Sequence, residues 1–126
     1  MVPNYGRITL DPHEVYQSRQ RFEQRYIVGW AEHDIIKVGV TGGYGKRWRR
    51  FTANGAEMLD LATYVDVCAA EARIRASLTL MFPPAFHHPA EVRELLGTGG
   101  AGYTECFSIP IEAWPMVIHI AQGDRL

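Results

Sequence analysis

The stretch IIKVGVTGGYGKRWRRF, residues 35–51, joins a strand pattern, a glycine-rich bend and a basic helix pattern. Its first six residues are apolar and mostly β-branched apart from Lys37 and Gly39, which predicts a β-strand. Three glycines at residues 42–45 predict a bend. Beyond it, aromatic residues recur at helical spacing with cations between them, which predicts an amphipathic helix with a cationic outer surface. The aromatic residues are Tyr44, Trp48 and Phe51, and the cations are Lys46, Arg47, Arg49 and Arg50.

Phosphate is the ligand expected at the junction between the glycine-rich bend and the basic helix. A helix N-terminus presents free backbone N–H groups and the positive end of the helix dipole. Here it would lie beside several cations, in a loop that lets a ligand approach the main chain closely. The alternative is a solvated arginine face on an ordinary core helix.

Composition predicts one globular domain over residues 1–126, because 47% of the residues are hydrophobic. The net charge of −1 argues against a protein that coats nucleic acid by bulk charge, but the charge is unevenly distributed along the chain. Residues 1–50 carry nine Lys or Arg against five Asp or Glu, and residues 51–126 carry four against nine. The two cysteines lack the C-x-x-C spacing of a compact zinc motif. Without a long apolar run or a signal-peptide core, we expect a cytoplasmic protein with no membrane partner.

A hairpin precedes the bend. Residues 25–31, RYIVGWA, predict a strand that turns back at residues 32–34 onto residues 35–40. With the turn centred between residues 32 and 33, Tyr26 lies opposite Gly39 and Val28 lies opposite Lys37. These four residues then share one face of the hairpin, and the other face is predicted to be the core. That second face carries Ile27, Ile36, Val38 and Val40.

The remaining elements complete a predicted α/β (α+β) fold, a small, mainly antiparallel three-stranded sheet flanked by helices. A third strand is predicted at residues 58–67, and a helix at 67–81 begins after Asp66, a capping residue. Further helices are predicted at residues 12–22 and 90–96, and a closing helix at 110–122 with an interruption near Pro115. Residues 103–109 predict an edge strand or extended segment. GTGGAG at residues 97–102 matches a dinucleotide-binding pattern in letters only, because it follows a helix and precedes a strand.

Glu71 is the unusual residue of the 67–81 helix, because it completes the apolar stripe of Val67, Ile74, Leu78 and Met81. An ionised carboxylate is costly to bury without a partner. Glu71 should therefore lie at the rim of the sheet, pair with an arginine, or bind a cation. The alternative is a first-turn glutamate that complements the helix dipole.

These residues together resemble the GIY-YIG nuclease superfamily. Arg25-Tyr26-Ile27 stands where the first motif has its tyrosine, Lys37-Val38-Gly39 where the second motif ends in glycine, and Lys46-Arg47-Trp48 on the following helix. The Lys-Val-Gly form is similar to the small phage-associated branch of that superfamily. That branch continues with a helix glutamate, similar to Glu71, and with a Gly-x-x-Glu-x-Phe segment, similar to residues 102–107.

The resemblance covers residues 24–110, with residues 1–23 as an N-terminal extension and helix and 111–126 as a C-terminal helix. The chain departs from the branch at three places. Gln24-Arg25 replaces a Gly-Ile lead, Arg75 stands where a histidine is usual, and Cys106 replaces an aromatic residue.

The resemblance implies an endonuclease that hydrolyses nucleic-acid phosphodiesters with one divalent metal ion, Mg²⁺ or Mn²⁺. It implies that Tyr26 activates water, that Arg47 stabilises the phosphorane and that Glu71 holds the metal. Lys37 shares a strand face with Tyr26 and is the expected source of a lowered tyrosine pKa. Nucleic acid, with DNA the expected form, would be bound by Arg25, Lys46, Arg49 and Arg50.

Two other functions fit the same residues, a catalytically silent nucleic-acid-binding module and a host-interaction protein on the same scaffold. In either case each residue has a plainer role. Tyr26 is then a strand aromatic, Lys37 an edge charge, and Arg47 the ion-pair partner of Glu71.

Overall fold

The β1–β2 hairpin lies at the centre of the sheet in the computed structural model, which describes residues 23–42, 46–100 and 102–124. Strand β1 spans Glu23–Trp30 and β2 spans Ile35–Thr41. They pair antiparallel with Tyr26 opposite Gly39 and Val28 opposite Lys37, which confirms the predicted register. Asp34 closes the turn in the left-handed conformation, with φ of 54°.

Two further strands flank the hairpin. Strand β3, Glu57–Tyr64, pairs antiparallel with β1, and the short β4, Cys106–Ser108, pairs antiparallel with β2. The fold is therefore α+β, with an antiparallel sheet of order β3-β1-β2-β4. The prediction of three strands was wrong because the segment near residue 106 joins the sheet, through bonds to residues 35–37 of β2. The predicted edge strand or extended segment at 103–109 consists of a 3₁₀ turn followed by β4.

Four helices are present in the described ranges. They are α1 at Trp48–Thr52, α2 at Val67–Met81, α3 at Pro89–Leu96 and α4 at Trp114–Gly123. Asp66 caps α2 as predicted, with its Oδ1 accepting from the Ala69 amide at 3.1 Å. Pro115 lies in the first turn of α4, just after its first residue, and does not interrupt the helix, because proline suits that turn. The predicted helix at 12–22 and the middle of the glycine-rich bend lie outside the described residues.

The helices cover both faces of the sheet. Helices α1 and α3 pack with Tyr26, Val28 and Trp30 on one face, and α2 and α4 pack with Ile27, Ile36 and Val38 on the other. The prediction of a single core face was therefore incomplete, because Tyr26 is only 1% exposed. In the described part of the chain, no helix combines the length and the apolar character needed to cross a lipid bilayer.

Candidate functional site

A pocket of about 420 Å³ opens where the short strand β4 leaves β2. Because β4 pairs only with residues 35–37, no described strand lies beside residues 38–41 on that side. Four residues predicted from the sequence line this pocket, and each comes from a different segment. They are Tyr26 of β1, Lys37 of β2, Arg47 before α1 and Glu71 of α2. The structure thus brings together side chains that lie up to 45 positions apart in the sequence.

Tyr26 forms the floor of the pocket, over a gap that Gly39 leaves in the neighbouring strand. A Cβ atom on residue 39 would overlap the Tyr26 ring and hydroxyl. The ring also packs on Phe51 of α1, with centroids 5.9 Å apart. Glycine at position 39 therefore sets how deeply the phenol lies, as the register predicted.

Lys37 is held by a carboxylate that the sequence analysis did not assign to the site. Its Nζ lies 3.1 Å from Glu105 Oε1 and donates to the Gly102 carbonyl at 3.3 Å. Glu105 also lies 3.6 Å from Arg75 Nη1, so two cations share one carboxylate. Glu105 precedes β4 and reaches the pocket because that strand pairs with β2.

Glu71 is half-buried at the rim of the sheet, beside the apolar stripe of α2 and not within it. The buried residues of α2 are Val67, Ala70, Ile74 and Leu78. Burial and the neighbouring Glu105 carboxylate, close enough to share a proton, raise the pKa of Glu71 against the opposing charges of Arg75 and Lys37. Two carboxyl groups therefore meet in the pocket, and one of them resists ionisation.

The phenol of Tyr26 is harder to ionise than a free tyrosine. Burial, followed by the negative charge of Glu105, raises its pKa, and the charge of Arg47 opposes this only in part. The expected lowering of the pKa by Lys37 was wrong. The ammonium group is paired with Glu105, and the carboxylate of that pair acts on the phenol with the opposite sign.

Tyr26 should therefore stay protonated in alkaline solution. We expect native protein and a Tyr26→Phe variant to give the same phenolate absorbance up to about pH 11, because an unperturbed tyrosine titrates near 10. A near-ultraviolet titration followed together with circular dichroism measures this while the fold is monitored. One tyrosine fewer ionising in the variant below pH 10 would contradict the raised pKa.

The basic stretch at residues 46–50 presents its cationic side chains to solvent, while backbone amides at the start of α1 are already hydrogen-bonded. Lys46, Arg47, Arg49 and Arg50 are all exposed, and Arg47 and Arg50 line the pocket. Helix α1 has only five residues, and several amides at its start are already bonded within the protein. The Arg47 amide donates to Thr41 Oγ1 at 3.1 Å and the Arg49 amide to the Lys46 carbonyl at 2.9 Å. An anion at this junction would therefore contact guanidinium groups and not the free N–H groups of a helix N-terminus.

Arg25 does not belong to this surface, and its assignment to nucleic-acid binding was wrong. Adjacent residues of a strand point to opposite faces, so the neighbour of Tyr26 points away from the pocket. Its side chain is fully buried, where it pairs with Asp60 at 3.5 Å and Asp124 at 2.7 Å. It also donates to the carbonyls of Ala70 and Ala121, both at 3.1 Å. Arg25 is thus a structural residue that joins β1 to α2 and α4.

The charges of the pocket suit an anionic ligand, because Lys37, Arg47 and Arg50 line it against Glu71 and Glu105. The described residues contain no group of three or more His, Cys, Asp or Glu placed to hold a metal ion. The two adjacent carboxyls are nevertheless oxygen donors of the kind that Mg²⁺ takes, and proteins often bind this ion through one or two carboxylates together with substrate phosphates and water. By donor chemistry the two carboxyls are compatible with such an ion, and Glu105 is already paired with Lys37 and Arg75. Comparisons of the chain with protein-family models, with curated proteins and with solved structures gave no match.

Proposed function

We propose that the protein is a metal-dependent endonuclease that hydrolyses nucleic-acid phosphodiesters, as the resemblance to the GIY-YIG nuclease superfamily implies. One observation carries this proposal. Tyr26, Lys37, Arg47 and Glu71, which the resemblance and the hairpin register single out, line one pocket although they come from four segments of the chain. Simple binding of a phosphate would not require a buried tyrosine beside two carboxyls.

Arg47 and Arg50 would receive the phosphate. A guanidinium group presents forked donors that match two phosphate oxygens at once. Both side chains are exposed and line the pocket, so a phosphodiester can reach them without a rearrangement of the core. Donors held in place for the charge that develops in the transition state are typically worth about 3–4 kcal/mol each.

Glu71 and Glu105 would hold the divalent cation, Mg²⁺ or Mn²⁺. Burial and then the neighbouring Glu105 raise the pKa of Glu71, so a second ionised carboxylate is disfavoured here, and a divalent cation would supply the compensating charge. When bound, the cation would polarise the scissile phosphate and balance the two carboxylates. With the cation bound, Glu71 would be held in its ionised form, and Glu105 would keep Lys37 in place through their 3.1 Å ion pair.

Tyr26 enters the reaction as a neutral phenol. Its hydroxyl can accept a hydrogen bond from a water molecule and orient that water toward a phosphate held by Arg47. Only the phenolate can take a proton from this water, so Tyr26 would first have to lose its own proton to solvent. Burial and then the negative charge of Glu105 oppose that loss, and a cation held by the two carboxylates would offset the charge. Tyr26 is therefore a neutral phenol in the free protein, and it would act as a base only when a cation and the phosphate are bound.

A catalytically silent nucleic-acid-binding module is the second candidate, and Arg75 is the observation that favours it. Its guanidinium lies 3.6 Å from Glu105, so a fixed cation already stands beside the carboxyl pair. In such a module Arg47 and Arg50 bind phosphate, and no divalent cation is required.

Cleavage of labelled duplex and single-stranded DNA, with and without Mg²⁺ or Mn²⁺, tests the proposal. We expect cleavage only with the metal, and a loss of about 10²–10³ in rate for Arg47→Met. Arg93→Met is the matched control, because Arg93 is exposed on α3 and does not line the pocket. Salt-dependent binding without metal-dependent cleavage would support the silent module instead. No binding at low salt would contradict both candidates.

A further inference from the structure

The glycine-rich loop at residues 97–102, rejected above as a dinucleotide motif, supplies part of the pocket wall. Gly99 and Gly102 line the same pocket as Arg47 and Arg50. The loop follows α3 and leads through a short 3₁₀ turn into β4, so the main chain of two glycines lines the pocket together with the cationic segment.

Besides Gly97, which ends α3 in the left-handed conformation with a φ of 74°, two glycines of this loop are required by their contacts within the protein. Gly102 has a φ of 80°, and a Cβ atom there would lie 2.6 Å from Lys37 Nζ and 2.9 Å from Glu105 Oε1. A side chain at this position would therefore disturb the central ion pair. At Gly100, a Cβ atom would lie 2.5 Å from the Pro89 Cβ and 2.6 Å from the Pro89 carbonyl oxygen. That glycine lets the loop pack against the start of α3.

No contact with the described residues explains why position 99 is a glycine. A Cβ atom there would lie more than 4 Å from every heavy atom of the described residues other than its two chain neighbours, and its backbone is not in the left-handed region. Neither its amide nor its carbonyl group has a hydrogen-bond partner in the described part of the chain. The fold would therefore accept a side chain at position 99, while the pocket would lose space.

We infer that the bare main chain at Gly99 is the surface against which a nucleic-acid strand passes when its phosphate lies on Arg47 and Arg50, so that Gly99 determines which ligands the pocket admits. This inference rests on the proposed function. A nucleic-acid strand carries its charge on the phosphates and presents neutral sugars beside them, which matches a wall with guanidinium groups on one segment and uncharged main chain on another. Inorganic phosphate requires only the arginines.

The substitution Gly99→Val separates these two ligands. We expect at least a tenfold weaker affinity for a short single-stranded oligonucleotide, measured by fluorescence anisotropy, and an unchanged affinity for inorganic phosphate, measured by calorimetry. The thermal midpoint should stay the same or rise slightly, because glycine replacement at an unstrained site restricts the unfolded chain. Gly123→Val is the matched control, because position 123 also has open space around a Cβ atom but lies away from this pocket.

The outcomes are distinguishable. Native protein that binds the oligonucleotide, together with a Gly99→Val variant that binds it equally well, overturns the inference and leaves the proposed function intact. Loss of affinity for phosphate as well as the oligonucleotide overturns it too, because the arginines would then have moved. A fall in the thermal midpoint of both Gly99→Val and Gly99→Ala would show that the fold itself needs this glycine, and it would also overturn the inference. Native protein that binds no oligonucleotide contradicts the proposed function and the inference with it.

Discussion

Replacing Arg25 with methionine is expected to lower the free energy of unfolding by about 3–5 kcal/mol, the range typical for breaking a buried charge pair. The guanidinium group is fully buried and has four acceptors on three elements. Methionine fills a similar volume but offers no donor to the buried carbonyls of Ala70 and Ala121. Urea denaturation followed by circular dichroism measures the loss.

Arg73 provides the matched control, because it pairs with the same carboxylate. Its Nε lies 2.7 Å from Asp124 Oδ1, but its side chain is 54% exposed. Arg73→Met should therefore cost less than about 1 kcal/mol, as exposed ion pairs do. Equal losses from the two substitutions would contradict the structural role of Arg25.

The same network makes stability depend on pH on the acid side. Hydrogen bonds from Arg73 and from Arg25 hold the pKa of Asp124 below its usual range of about 4. For a carboxyl with a lowered folded pKa, the stabilisation is present above the unfolded pKa and is lost as the pH falls through the folded pKa. The Arg25→Met variant should lose less stability than the native protein between about pH 5 and pH 2.

The hairpin was predictable because its constraints are local. A short turn fixes which residues lie opposite one another, and the alternation of side chains then fixes which of them share a face. Tyr26 with Gly39 and Val28 with Lys37 follow from these two rules alone. The same alternation places Arg25 on the face away from Tyr26, so its assignment to the basic surface was an error in applying a rule that the sequence already contained.

Glu105 could not be found from periodicity. It lies 68 positions from Lys37, and only the pairing of β4 with β2 brings the two side chains together. The three-residue strand that does this is too short to show alternation. The one signal was the Gly-x-x-Glu-x-Phe segment of the resemblance, in which Gly102 leaves space for the Lys37–Glu105 pair. Because Glu105 was missed, the direction of the pKa shift of Tyr26 was also missed.

Glu71→Gln is expected to abolish metal-dependent cleavage and, at neutral pH, to make the protein more stable. The raised pKa of Glu71 means that its ionised form is disfavoured in the folded protein, chiefly by burial and then by Glu105. For a carboxyl with a raised folded pKa, no cost exists below the unfolded pKa, and the cost develops as the pH rises through the folded pKa. The stabilisation by glutamine should thus be absent near pH 4 and present at pH 7. Nucleic-acid affinity should be unchanged or slightly higher, because one negative charge leaves a pocket that receives phosphate.

Glu105→Gln is expected to lower the stability of the protein. It removes the carboxylate that pairs with Lys37, and Lys37 is only 4% exposed. Glu94→Gln, at an exposed position of α3, is the neutral control. Thermal unfolding at several pH values, repeated with Mg²⁺ or Mn²⁺, separates the roles, since a bound ion raises the midpoint of the native protein but not of Glu71→Gln. If Glu71→Gln instead lowers the midpoint at pH 7 and the native protein shows no response to either metal ion, Glu71 is an ion-pair partner of Arg75. The pocket would then be a phosphate-binding site without hydrolysis.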